Sequence, residues 1–190
     1  MAARTSRHTV LSEIPTFDEE SDDLTVVIET PKGSRNKYNY EPRFDCLKLA
    51  TVLPEGMIFP YDFGFLPSTL GDDGDPLDIL VLMDAPVFPG CVIAARLIGA
   101  IEARQKEKGG AWERNDRLIA VATHAQTHDE TRSLADLRPR LVKEIKAFFG
   151  QYNELRNRKF EALDEVGPKQ ARRLVEEGIA RFEKQRPSSD

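Results

Sequence analysis

Between Pro54 and Pro89 the chain is crowded with turn formers, and this stretch decides what kind of fold is open to it. Phe59-Pro60-Tyr61-Asp62-Phe63-Gly64-Phe65-Leu66-Pro67 cannot be helix, because two prolines and a glycine interrupt it. The acidic turn Asp73-Gly74-Asp75-Pro76-Leu77-Asp78 follows and feeds into Ile79-Leu80-Val81-Leu82-Met83, a continuous apolar run typical of a buried strand. Upstream, the β-branched run Leu24 to Thr30 reads as a strand stopped by Pro31 and Gly33. Lys37 to Tyr40 alternates polar and aromatic residues, and Leu47 to Leu53 is a further short apolar run. Val92 to Ala103 and Leu118 to Ala122 supply two more strands, and the polar segment from Arg104 to Asp116 between them predicts a long hairpin.

The periodicity then changes. From Ser133, Leu137, Leu141, Ile145, Phe148, Phe149, Tyr152 and Leu155 recur at helical spacing, with Pro139 early enough to sit at the first helical position. A second helix is predicted from Pro168 to Lys184, with Ala171, Leu174, Val175, Ile179 and Phe182 as its apolar stripe. Strands first and helices last predict a mainly β fold with α, an OB-like closed or partly closed β-barrel with two C-terminal helices packed against it. Residues 1–23 read as a polar arm, with Ile14 and Phe17 docking on the body, and residues 24–190 as one domain.

At 190 residues the chain can bury a core without disulfide or metal staples. A net charge of -5 and the absence of a long basic block argue against a nucleic-acid partner. Cys46 and Cys91 lie far apart, outside any C-x-x-C pattern, and read as small buried or half-buried hydrophobes. Met1 to His8 is polar and basic where a secretory signal would be apolar, and no apolar run approaches the roughly 18 residues needed to span a membrane. The expected location is the cytoplasm, with no membrane partner. His8, His124 and His128 stand isolated and are assigned no role.

Asp72, Asp73, Asp75 and Asp78 crowd four carboxylates into seven residues, and their mutual repulsion calls for cations or solvent to relieve it. Gly74 lets the backbone turn sharply and Pro76 fixes its exit. Hard oxygens without sulfur or imidazole suit magnesium or manganese. The same residues would also serve as a solvated acidic turn, and position alone leaves both readings open. Pro76 and the missing glutamate exclude an EF-hand loop.

The acidic turn followed by Ile79-Leu80-Val81 resembles the signature of family I inorganic pyrophosphatases. Val27-Ile28-Glu29-Thr30-Pro31, Lys37-Tyr38, Phe59 to Phe65, Phe88-Pro89-Gly90, Gly99, Leu118 to Val121, and Phe148-Phe149 with Tyr152 and Lys159 follow in the family's order, over roughly residues 24 to 185. The resemblance implies hydrolysis of pyrophosphate to two phosphates with several Mg2+ ions, Mn2+ being a further candidate. It implies Asp73 and Asp78 as metal ligands, Asp75 as general base, and Glu29 on a substrate-associated metal. Lys37, Tyr152 and Lys159 are implied as phosphate contacts. It also implies a homo-oligomer.

The chain departs from the family pattern around this core. Asn39 stands where a glutamate is usual, Thr51 where an arginine is, Phe63 where a tyrosine is, and Asn153 where a lysine is. The hairpin's acidic positions read Gln105, Lys106 and Asn115, with Asp116 beside them as a substitute ligand, and the expected lysine is Arg117. Asn115 can still offer an oxygen to a metal but lacks charge, which lowers metal affinity unless Asp116 swings in, and each charged hydrogen bond lost at Thr51 and Asn153 weakens phosphate binding by about 1.5–3 kcal/mol. The expectation is an enzyme that needs more magnesium than a typical relative. The alternatives are a pyrophosphatase-like fold that binds phosphate or a protein partner, and hydrolysis of a related phosphoanhydride.

Overall fold

The structure is a computed structural model that describes residues 10–185; the first nine residues of the expected arm, His8 among them, and residues 186–190 lie outside that range. Its strands are β1 (Leu24–Thr30), β2 (Asn36–Glu41), β3 (Cys46–Val52), β4 (Asp62–Phe65), β5 (Asp78–Leu82), β6 (Val92–Glu107), β7 (Glu113–Arg114), β8 (Arg117–Ala122) and β9 (Arg158–Val166). Two helices accompany them, α1 (Pro139–Glu154) and α2 (Pro168–Gln185).

Five strands form a ring. β1 pairs β4, β4 pairs β5, β5 pairs β8 in parallel, β8 pairs β6, and β6 returns to β1. Closure removes the sheet edges that would otherwise invite aggregation. β6 makes it possible, because its 16 residues engage β1, β8, β9 and β7 in succession. The ring encloses the core, where Ile28, Phe59, Ile79, Leu80, Leu82, Ile98 and Ile119 are fully buried. Gly64 is required where β4 crosses β1, since a Cβ there would lie 2.0 Å from the Val27 carbonyl oxygen. The β2–β3 hairpin stands apart as its own two-stranded sheet.

Most elements match the sequence-based expectation, including Pro139 at the start of α1. β6 runs four residues beyond the predicted end at Ala103, so the hairpin tip is shorter than its polar composition implied. β9 has no counterpart among those expectations. Its sequence is mostly charged, and it becomes a strand by pairing along β6 from Ala100↔Val166 to Glu107↔Arg158. Cys46 is exposed, contrary to the expectation of burial, and both cysteines are free. Of the N-terminal arm, residues from Val10 onward hydrogen-bond to the body. Thr16 Oγ1 donates to the Pro67 carbonyl at 2.7 Å, and Ser68 Oγ donates to that of Ile14 at 2.9 Å. Among the described residues no helix is long and apolar enough to cross a membrane.

Candidate active site

The acidic turn is held by its own backbone and by α2. Gly71 N donates to Asp75 O at 2.7 Å, and Gly74 takes a φ of 85°, the left-handed region that glycine reaches without penalty. Behind it, Leu70 N donates to the Gly178 carbonyl at 3.0 Å, and Arg181 Nε donates to Leu70 O at 2.8 Å. Gly178 leaves room for Leu77, whose side chain would lie 2.6 Å from a Cβ at that position. The turn is thereby fixed at the mouth of the ring, where Asp78 opens β5 opposite Phe65 of β4.

A cavity of about 320 Å3 opens in front of it. Four carboxylates line it, Glu29, Asp73, Asp75 and Asp78, together with four cations, Lys37, Arg117, Arg156 and Arg158. Asn39, Phe63, Gln105, Asn115, Tyr152 and Asn153 complete most of the wall. Formal charge in the wall therefore sums to zero, whereas the acidic turn alone is strongly negative.

Glu29 and Lys37 form an ion pair at 2.7 Å, with the residues only 7% and 6% exposed. Glu29 also accepts from Tyr40 N at 2.6 Å, and Lys37 Nζ sits 4.7 Å from the Phe63 ring centroid. The phenyl ring thus serves Lys37 through its π face, which a hydroxyl is not needed for. Burial raises the Glu29 carboxyl above its ordinary value, although Lys37 opposes the shift. Removal from water and the charge of Asp78 push Asp73 up to about 6. The same two causes raise Asp75, against the pull of Lys37 and Arg158.

Arg117 is 3% exposed and lies over the rings of Phe149 and Phe160, 4.8 and 5.8 Å from their centroids. Its Nη1 pairs with Asp78 Oδ2 at 2.6 Å and donates to Asn115 Oδ1. Asn115 in turn donates from Nδ2 to Asp73 Oδ2 at 2.7 Å. Tyr152 sits in an aromatic cluster with Phe59, Phe148 and Phe149, and its hydroxyl accepts from Arg156 Nη1.

Of the residues singled out from sequence, Glu29, Lys37, Asp73, Asp75, Asp78, Asn115, Arg117 and Tyr152 therefore line one cavity. Two do not. Asp116 pairs with Arg114 at 2.7 Å and accepts from Ala103 N at 2.9 Å, facing a smaller pocket beside the turn. Lys159 is exposed and lies across the sheet from Lys106, because successive residues of β9 point to opposite faces. Its neighbour Arg158 faces the cavity instead, paired with Glu107 at 2.6 Å. Arg156 and Arg158 flank Asn157, whose φ of 57° makes the tight turn from α1 into β9. Sequence reasoning missed both arginines, since Arg158 is turned inward by the β6–β9 register and Arg156 is placed by the turn that leaves α1.

Carboxylate oxygens without sulfur or imidazole fit a hard divalent cation. Among the described residues, no three such side chains converge closely enough to hold an ion by themselves.

The family model of the inorganic pyrophosphatases matches residues 26–183. The chain is 40% identical to the inorganic pyrophosphatase of Geobacillus stearothermophilus over 159 residues, covering 84% of this chain and 93% of that one. It is 39% identical to that of a Synechocystis strain, over 84% and 91% of the two chains. The crystal structure of the Thermus thermophilus inorganic pyrophosphatase superposes with a TM-score of 0.83 at 34% identity, covering 92% of this chain and 99% of that one. The chain belongs to the family I inorganic pyrophosphatases.

Proposed function

We propose that this protein hydrolyses inorganic pyrophosphate to two phosphates in the cavity before the acidic turn. The observation that carries the reading is that Asp73, Asp75 and Asp78 line one cavity together with Lys37, Arg117, Arg156 and Arg158. Such a site can bind a highly charged anion through its cations while a carboxylate of the same cavity handles a proton. Family membership brings metal dependence, and Mg2+ is the ion we assign, with several ions per site and Mn2+ as a substitute. Asp73 and Asp78 would hold it, and bound there it neutralises phosphate charge and lowers the pKa of water.

The remaining work falls to the side chains. Asp75 accepts the proton of the attacking water as the oxygen bonds to phosphorus. The bond from that phosphorus to the bridging oxygen breaks, and the second phosphate leaves with the bond's electron pair. Lys37 and Arg158 stabilise the departing charge, and Tyr152, gripped by Arg156, orients it. Glu29 keeps Lys37 in place, both of its oxygens being engaged by Lys37 and Tyr40 N. A net charge of -5 speaks against a nucleic-acid partner, and we assign neither that nor a membrane partner. We place the enzyme in the cytoplasm, and family resemblance is what supports a homo-oligomer.

Phosphate release from pyrophosphate with Mg2+ tests the reading against Asp75→Asn. Loss of the base should lower kcat by about 10²- to 10⁴-fold. Equal release by the variant, or no metal-dependent release by the native chain, would overturn it. Faster release from nucleoside triphosphates than from pyrophosphate would shift the substrate to a larger phosphoanhydride.

A further inference from the structure

The metal-facing side of the acidic turn already holds a cation. Arg117 is buried and stacked on Phe149 and Phe160, and its Nη1 bonds both Asp78 and Asn115. Asn115 completes the arrangement by donating from Nδ2 to Asp73. One oxygen of Asp73 and one of Asp78 thus already accept from within the protein. The side-chain carbonyl of Asn115 accepts from Arg117, so an ion there would have to share that oxygen with a guanidinium. Asp116 cannot swing in without leaving Arg114 and the Ala103 amide.

Arg117 has no easy way out of this position. Besides the ion pair and the two aromatic faces, the main-chain carbonyls of Asn115 and Asp116 lie 3.3 and 3.1 Å from its Nη1, while its Nε is buried without a hydrogen-bond partner among the described residues. A guanidinium stays charged under all ordinary conditions, so its charge is permanent where that of a bound ion depends on supply.

We propose that Arg117, clamped by Asn115, is a built-in counter-cation that takes the place of one divalent ion beside Asp73 and Asp78. The site would then bind fewer divalent ions than its carboxylates could otherwise hold. This inference rests on the reading that the acidic turn binds divalent cations.

The test counts Mn2+ bound to the full chain by electron paramagnetic resonance and calorimetry, without substrate. Arg117→Met keeps an unbranched side chain against the two rings but removes the charge, while Arg117→Lys keeps the charge. We expect Arg117→Met to bind one more Mn2+ per chain than the native protein, or to bind its Mn2+ at least about tenfold more tightly. Arg117→Lys should gain less than Arg117→Met, and far-UV circular dichroism reports whether each variant is folded. Asn115→Ala, which releases Arg117 and Asp73 without adding a carboxylate, should also tighten Mn2+ binding and supplies an independent reading if Arg117→Met does not fold. Native-like binding by Arg117→Met, or by Asn115→Ala where Arg117→Met does not fold, would overturn the inference while leaving the metal reading intact. An equal gain in Arg117→Lys and Arg117→Met would overturn it too, since the effect would then be one of packing. If the native chain and every variant bind no Mn2+, the metal reading and the inference both fail.

Discussion

Replacing Lys37 by methionine strands Glu29, and the structure sets a ceiling on what that costs. The two side chains are almost fully enclosed, so solvent does little to screen the loss. Breaking a buried ion pair by removing one partner typically costs about 3–5 kcal/mol, because the remaining charge is left uncompensated. Glu29 has an escape, however: it can take up a proton. The price of that proton is about 1.36 kcal/mol for each pH unit above the ordinary glutamate value of 4.5. At pH 7 the stranded charge therefore costs no more than about 3.4 kcal/mol, and at pH 5.5 no more than about 1.4. The folded carboxyl is already raised in the native protein, and losing Lys37 raises it further. A raised carboxyl stabilises the fold below its unfolded value and loses that contribution as pH rises through the folded value. The gap between native and variant stability must therefore widen with pH. Urea unfolding of the two proteins at pH 5.5, 7 and 8 should give a difference near 1 kcal/mol at the lowest pH and about 2–3 kcal/mol at pH 7. The double variant Lys37→Met/Glu29→Gln should remove most of the pH dependence. A gap that is constant, or that narrows as pH rises, would refute the reasoning.

Arg158→Gln should raise KM for pyrophosphate about tenfold, since it removes a partly exposed cation from the cavity wall; an unchanged KM would count against its role. Gly64→Ala should destabilise the protein by about 3 kcal/mol, because the new methyl meets the backbone of β1 and not a movable side chain. Denaturant unfolding measures this, and a loss under about 1 kcal/mol would mean that β1 and β4 can separate. With Asp73 raised to about 6, protons should compete with Mg2+ below that pH, and the magnesium needed for half-activation should rise by up to about tenfold per pH unit. In the metal-free protein the same shift has the opposite sense: Asp73 favours the fold at acid pH, and that support fades as pH rises through 6. Magnesium titrations at pH 5.5, 6.5 and 7.5 check the first effect, and a flat requirement would contradict it.

Legibility differed between elements for physical reasons. β1 and β5 could be read directly, because a run such as Ile79 to Met83 has few ways to hide its apolar side chains except as a buried strand. α1 and α2 announced themselves by 3.6-residue spacing and by prolines at their first helical positions. β9 was invisible, since its alternation is weak and its hydrogen-bond partners come from a strand more than fifty residues earlier. Charge identity misled where geometry decides: Lys159 and Arg158 are neighbours of like charge, and only the strand register turns Arg158 inward.

The sequence by itself determined the family, the barrel with its trailing helices, and the acidic turn, because each depends on local pattern or on residue type in order. Tertiary structure decided which charges meet. It brought Arg156 and Arg158 to the cavity, turned Asp116 toward Arg114, and set Arg117 and Asn115 against Asp78 and Asp73. Such pairings depend on distances of a few ångströms between residues far apart in the chain, and Coulomb energies in a buried site change steeply over that range.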